Sequence, residues 1–545
     1  MHTYRLSIFY CFLISVIGVS ARDFVHVITS KGVYETSEDL WFKCLIIDEK
    51  TCRLSEASHT AYIELVAPND SVVSQDKYPI TQGQCDGHIY VGEDWIPGEY
   101  RLYAYTRNSV GDNDTILYPH RLLVVKELPE VPAIAAQHKP ETVSAEQLSE
   151  YSGGLHVSVV LDSSEYHKRS KVTARIRVSD KAGNPVQATI AMSIYDCLYR
   201  YKPSEVLLSA RNYVDDKSIP GRSLQPFLSD GVSSGVVRTG RKEKDPASGQ
   251  WLNVYDVDAT AGKFNLVETD IEGRFEVSSE TGRMLGRELV MKPLISDKKP
   301  VIIFDRPFDA LSGLRAKATD RMLPIIQSRN KDDDEKTTED YLHRRTVHLD
   351  EVEVRGKTPY YVRRDKLYGY LDSIHTLKSG VWVCCLGHSH FGVGFINDYI
   401  KGYTHHPQGY GMPDTIYAPK KGETYEAIKY TGPTQNDYVV DIRHVVYEGD
   451  NLSQEELLKE AGLFADQGYS RPYGFQQWDP NDWFVGIEDI RNTLLWAPQM
   501  VTNQSGILDL VFYTSDIASS FIIKGCAFNQ TGLFADLDNF VFEVK

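Results

Sequence analysis

The sequence predicts a mainly β protein: tandem β-sandwiches, a small α+β segment and a C-terminal β-sandwich. Three observations predict it. Apolar residues alternate with period two in many short segments, the pattern of strands with one buried face. Turn signals rich in Pro, Gly, Asn and Asp separate these segments at short spacing. One array also recurs. Tyr34 precedes Leu40 by six, after which Phe42, Cys44 and Ile46 alternate; Tyr166 precedes Val172 by six, after which Ala174, Ile176 and Val178 alternate. Self-similarity of this kind marks copies of one module.

A chain of 545 residues has room for three to five domains. Hydrophobic content of 42% and charged content of 25% are globular values. The formal charge of −16, without basic runs, repels phosphate backbones and argues against nucleic acid as a partner. Residues 1–21 read as a secretory leader. Arg5 is the positive flank, Ile8 to Val19 is mostly apolar, and Val19-Ser20-Ala21 offers small side chains before a cut ahead of Arg22. Arg rather than Cys at that cut argues against a lipid anchor, and no later apolar run has the roughly 18 residues of a membrane helix. The expected location is therefore the periplasm, the outer membrane's periphery or the cell exterior. Beyond the leader stand Cys44, Cys52, Cys85, Cys197, Cys384, Cys385 and Cys526. They are too few for a disulfide framework. One bridge among Cys44, Cys52 and Cys85 and a set of small buried hydrophobes are both open readings.

The elements follow in order. Residues 22–126 read as a first sandwich: "EDLWFKCLIID" points Leu40, Phe42, Cys44 and Ile46 one way, "AYIELVAPNDSVV" is a strand and a turn, and "IPGEYRLYAYTRN" is a strand after a Pro-Gly turn. Residues 127–154, with Pro129, Pro132 and Pro140, read as a linker. Residues 155–219 read as a second sandwich. Tyr34-x5-Leu40-x-Phe42 and the stretch from Pro97 to Thr106 resemble the N-terminal domains of the α2-macroglobulin family. The resemblance implies immunoglobulin-like, macroglobulin-like sandwiches for both modules. Family members trap proteases through a Cys-Gly-Glu-Gln thioester, and none of the cysteines here begins that motif.

Residues 220–306 read as a third β module. Asp270-x-x-Gly273-x-Phe275 resembles the carboxypeptidase-regulatory-like fold, which implies that Asp270 and Gly273 shape a tight turn and Phe275 enters the core. Residues 307–347 read as an acidic linker carrying Asp332, Asp333, Asp334 and Glu335. Residues 348–450 read as an α+β or plug-like segment, because Leu349, Val352, Val354 and Gly356 resemble the entry to the plug of TonB-dependent outer-membrane receptors. Residues 451–545 read as a short helix and a C-terminal sandwich. Ser453 and Glu456 form a capping box and Gly462 a C-cap. "TYEAIKYT" and "DYVVDIRHVVYEG" are expected to complete that sandwich. The whole order resembles a group of exported Gram-negative bacterial proteins.

Candidate chemistry is sparse. "GVSSG" (Gly231 to Gly235) has the pattern of a nucleophile elbow, but the strand-like "VVRTG" follows where a helix is needed. Cys384, Cys385, His388, His390, His405 and His406 lie close in sequence, and such residues ligate zinc or copper. Adjacent cysteines on a strand point to opposite faces, however, and no C-x-x-C spacing exists, so no metal is assigned. Tyr469, Tyr473, Trp478 and Trp483 crowd one segment and could form a stacking face for sugars, or an ordinary sandwich corner. No phosphate loop, zinc-protease helix or dinucleotide fingerprint is present, and no cofactor is expected. The expected function is therefore non-catalytic contact with another cell-envelope protein, as an accessory of an outer-membrane system. Glycan binding is the first alternative. A metal-dependent or hydrolytic enzyme centred on Cys384 to His406 is the second.

Overall fold

A computed structural model describes residues 22–110, 116–128, 142–143, 153–205, 228–239, 244–256, 264–294, 300–321, 325–326, 381–383, 389–391, 424–430, 439–446, 453–478, 488–537 and 540–545. The fold is mainly β. The alternation read in residues 39–48 builds the first sandwich. A sheet of Asp23–Thr29, Asp39–Asp48 and Gln84–Tyr90 faces a sheet ordered Val33–Glu35, His120–Val125, Gly98–Tyr105, Thr60–Val66 and Val72–Pro79. Leu40, Phe42, Cys44 and Ile46 enter the core between them with Tyr34, Tyr78, Tyr100 and Leu122. The opposite face of the Asp39–Asp48 strand is buried as well, Lys43 and Leu45 being fully so. It therefore serves as a contact surface rather than a solvated one.

The second sandwich repeats the strands of the first, with one added strand, Phe534–Asp536, paired to Ser520–Phe528, but not within the expected boundaries. Residues 155–219 and 451–545 read from sequence as separate sandwiches, but the strands within 155–196 and 493–544 share one. Leu155–Leu161, Lys171–Asp180 and Ile507–Tyr513 form one sheet; Glu165–Tyr166, Phe540–Val544, Ser520–Phe528, Thr189–Asp196 and Thr493–Val501 form the other. The sheet orders match those of the first sandwich. Small devices repeat too. The short strands holding Tyr34 and Tyr166 each pair in parallel with the last strand of their sandwich. Each tyrosine hydroxyl accepts a backbone N–H from three residues earlier, Lys31 at 3.2 Å and Ser163 at 2.9 Å. Ile46 N–H donates to Gly83 O and Val178 N–H to Gly506 O, both at 2.8 Å. Gly83 and Gly506 have φ of +71° and +67°, a region that favours glycine.

The two copies differ at one turn. In the first sandwich the fourth and fifth strands are joined by residues 67–71; in the second, the equivalent strands Thr189–Asp196 and Thr493–Val501 are separated by everything between them. They still pair as neighbours, and Asp196 N–H donates to Asn492 O at 2.8 Å to close the neck. The third module is thus inserted at a hairpin tip. "TYEAIKYT" and "DYVVDIRHVVYEG" do not complete the C-terminal sandwich as expected; Thr424–Tyr430 and Val439–Val446 pair with one another. Two strands cannot bury a face alone, and strands 155–196 supply what they were expected to.

In the inserted module, Ser233–Thr239 pairs with Asp245–Pro246, Arg274–Val277 and Val301–Phe304, and a second sheet runs Phe264–Glu268, Trp251–Asp256, Glu288–Pro293 and Phe464–Gln467. The Asp270 turn forms as expected: its Oδ1 accepts from Glu272 and Arg274 N–H at 2.8 Å each, Gly273 has φ +76°, and Phe275 is buried in the core. The Gln454–Ala461 helix has its capping box on Ser453 and Glu456 and a left-handed Gly462. Leu457 and Leu458 lay it on Val290 of the second sheet. Between sheet and helix, Pro307–Arg315 leaves the module and buries Leu311 and Leu314 against Tyr62, Tyr103 and Tyr105 of the first sandwich.

Candidate binding groove and aromatic patch

The modules meet through polar groups, some buried and some exposed, as well as apolar ones. Lys77, from the first sandwich, donates from Nζ to Val232 O at 2.7 Å and Gln467 O at 2.9 Å, with Asp466 at 3.6 Å. Burial lowers its pKa, while Asp466 opposes that. Tyr62 Oη donates to Ser229 O at 2.7 Å, and His59 N–H and Nδ1 meet the Asp230 carboxylate at 2.7 and 2.6 Å. Each of these groups meets a partner across the seam.

A groove of about 440 Å³ opens beside this joint. Glu268, Asp270, Glu276, Asp305 and Arg274 of the inserted module line it, with Arg107 of the first sandwich and Leu228 and Ser229 of the connection. Four carboxylates face two guanidiniums. Ser234 Oγ donates to Asp305 Oδ2 at 2.7 Å, Arg274 Nη2 to the same oxygen at 2.9 Å, and Ser229 Oγ to Glu276 Oε2 at 2.6 Å. The serine hydroxyls therefore donate to carboxylates. Neither has a neighbouring imidazole or free amine among the lining residues to act as a base. What the wall offers is an excess of carboxylate acceptors. Its chemistry suits a chain bearing Lys or Arg.

The "GVSSG" stretch behaves as read: Ser233 starts a strand, Ser233–Thr239, and its hydroxyl is buried and hydrogen-bonded to Asp466. The aromatic segment divides. Tyr469 is buried in the core of the inserted module, its hydroxyl 2.7 Å from Thr60 Oγ1, so it presents no ring to solvent and leaves the expected face. Tyr473 is 58% exposed and gathers a patch on the first sandwich. Its ring centroid lies 4.0 Å from that of His88 and 5.4 Å from that of Trp41, Phe475 packs on Trp41 at 5.7 Å, and its hydroxyl donates to Asp39 Oδ2 at 2.6 Å. Tyr90, 54% exposed, stands opposite Asp39 in the same sheet. Trp478 turns away and takes the Arg491 guanidinium at 4.8 Å. Trp483 lies outside the described residues. So do Cys384, Cys385, His388, His405 and His406, while His390 is placed only by backbone, opposite Trp382 in a short hairpin. Among the described residues no group of three or more His, Cys, Asp or Glu is arranged to hold a metal ion, and no helix is long and apolar enough to cross a membrane.

The sequence did not single out the groove's charged residues other than Asp270. Arg107 belongs to another module, and acidic residues are too common in this chain for Glu268, Glu276 and Asp305 to stand apart. Asp270 and Phe275 carried a signal as a turn and its core residue, and Ser234 lay within the "GVSSG" stretch.

No protein-family model matches this sequence, and no curated protein matches it. Among solved structures, the chain is similar to Escherichia coli α2-macroglobulin activated by porcine elastase. The identity is 9% and the TM-score 0.26, over 96% of this chain and 44% of that one. It is also similar to Salmonella α2-macroglobulin reacted with methylamine, at 10% identity and a TM-score of 0.26, over 96% and 40%. A further likeness is FdeC, an Escherichia coli adhesin, at 11% identity and a TM-score of 0.15, over 51% and 63%. The chain spans about two fifths of the length of these macroglobulins.

Proposed function

We propose that this chain is a non-catalytic, exported cell-envelope protein that acts by protein–protein contact, its partner presenting a basic segment to the groove between the first sandwich and the inserted module. The observation that carries this reading is the groove's composition: Glu268, Asp270, Glu276 and Asp305 against Arg107 and Arg274. A preformed acidic wall costs little ordering on binding and selects by charge. The periplasmic face of an outer-membrane system is the location this reading favours, from the plug-like entry at residues 348–357. The test is crosslinking of the full chain in intact cells, followed by purification and mass spectrometry. A discrete co-purifying protein is expected, with its recovery cut about tenfold or more by Glu268→Lys combined with Glu276→Lys, both exposed positions. Recovery of the chain alone, or specific turnover by the purified protein, overturns the reading.

A second reading, glycan binding, is favoured by the exposed Tyr473 ring on the Trp41–His88 patch. An exposed aromatic ring beside a carboxylate such as Asp39 suits a sugar ring and its hydroxyls. Retention on a glycan array that disappears in Tyr473→Ala is the expected result; retention unchanged by that substitution removes the reading.

A further inference from the structure

We propose that Cys44 and Cys85 form a cross-strand disulfide that staples the first sandwich, made while the domain folds and then sealed inside it. The two residues are direct partners in the antiparallel pairing of Asp39–Asp48 with Gln84–Tyr90. Because Ile46 N–H, two residues on, donates to Gly83 O, Cys44 and Cys85 form a hydrogen-bonded pair, whose Cα atoms lie about 5.5 Å apart, within the roughly 4.4–6.8 Å that a disulfide spans. Both side chains point into the same core cluster, and both are thiols in the structure. The neighbouring Cys85 thiol, and then burial, hold the Cys44 thiol well above the ordinary thiol range.

The sister sandwich sharpens the point. At the position of Cys44, ten residues beyond the repeated tyrosine, it has Ile176, whose strand partner is Leu508. One copy fills this site with a bulky aliphatic pair, and the other places two small thiols face to face. A covalent link restores the cross-strand tie that the lost aliphatic contact would have given. Cys52 lies on the exposed turn after Asp48 and is not opposite either of them in the sheet.

The chemistry requires a disulfide as oxidant, whether oxidised glutathione or the disulfide of an oxidoreductase. The Cys85 thiolate attacks one sulfur of the oxidant and expels one thiolate, leaving a mixed disulfide. The Cys44 thiolate then attacks the Cys85 sulfur and expels the second. The cysteines lose two electrons to the oxidant's sulfurs, and their two protons pass to solvent and the released thiolates. Because Cys44 and Cys85 are buried at 0% and 4% exposure, exchange needs an open domain. The bond therefore forms during folding and resists reductant afterwards. An oxidising compartment favours it, which the expected leader at residues 1–21 would provide.

The full chain, made reduced, is opened in moderate denaturant with oxidised glutathione and returned to buffer. Free thiols are then alkylated and the chain is digested. A peptide linking Cys44 to Cys85 is expected. In the native state this link should survive dithiothreitol and yield only when denaturant is added. The oxidised chain should unfold at least about 5 °C above the reduced one, a difference abolished in Cys44→Ala combined with Cys85→Ala. Alkylation of both cysteines, a link from either one to another cysteine, or the same melting shift in the double variant overturns the proposal.

Discussion

Taking the folded protein from about pH 8 to about pH 5 is expected to cost about 2 kcal/mol of stability through His120 alone. His120 lies at the seam between the two sandwiches, buried, with its Nε2 2.8 Å from Thr29 Oγ1. Burial first, then the proximity of His26 and Lys524, pushes its pKa down from 6.5 to about 3. The unfolded chain takes up a proton below about pH 6.5 that the folded seam refuses. The contribution is therefore complete above about 6.5 and is lost as pH falls toward about 3. Glu205 adds a second loss at lower pH. Burial would raise its carboxyl, but Lys524 at 2.9 Å and Arg200 at 2.9 Å outweigh that and hold it at about 2, against an ordinary 4.5. Its contribution is complete above about 4.5 and fades as pH falls toward about 2. Both terms have the same sign, so acid loosens one seam twice. Urea unfolding at a series of pH values checks this. His120→Gln, whose amide can still meet Thr29, should flatten the dependence between pH 8 and 5 and leave the lower limb in place. An unchanged slope in that variant would falsify the assignment to His120.

The seam could not be read in advance, because most of its pairings join residues far apart in the chain. Lys524 meets Glu205, and His120 meets Thr29, only in the folded protein; Arg200, five residues from Glu205, is the local exception. What sequence does carry is local. Period-two alternation marked the Asp39–Asp48 and Lys171–Asp180 strands correctly, since the pleat alone dictates it. The Asp270 turn and the Ser453 capping box were legible for the same reason: every partner lies within four residues. The echo of Tyr34 in Tyr166 also survived, because each hydroxyl closes a turn onto the residue three before it. Partner identity was not legible. Arg175 and Asp509 pair across adjacent strands although they are 334 positions apart. Alternation says that a strand has an inner face, not whose face covers it. The same limit governed the aromatic segment. The density of rings at 469–478 was visible, but Tyr469 is claimed by Thr60, 409 positions away, while Tyr473 stays at the surface.

Ending the chain after Ile487 is expected to unfold residues 153–205 as well as to remove the tail. The truncation takes away the strands Thr493–Val501, Ile507–Tyr513, Ser520–Phe528 and Phe540–Val544. Val172, Ile176, Ile190, Met192 and Ile194 would then lose Leu495, Phe512, Phe521 and Phe542 from their common core. Each such side chain stabilises by roughly 1.5–3 kcal/mol when fully buried, so the loss far exceeds the usual margin of a domain. Limited proteolysis reads the outcome. Cuts should appear within 153–205 in the truncated chain and not in the full one, while the first sandwich, with its own closed core, persists as a fragment. A sandwich complete within residues 155–219 would instead stay protected. Phe542→Ala is the milder form of the same test. Its ring packs on Tyr166, Phe521 and Phe512 with centroids 5.6, 5.8 and 5.9 Å away. Removing it should cost about 3–5 kcal/mol, felt by strands at both ends of the chain. The hairpin neck explains why so large an insertion is tolerated. Because the two strands that border it are hydrogen-bonded neighbours, closing the neck fixes both exits at strand spacing whatever lies between, and the entropy of the longer loop grows only logarithmically with its length. The inserted module then needs only its own core and the Lys77 joint to be held, and that places the acidic groove at a set position against Arg107.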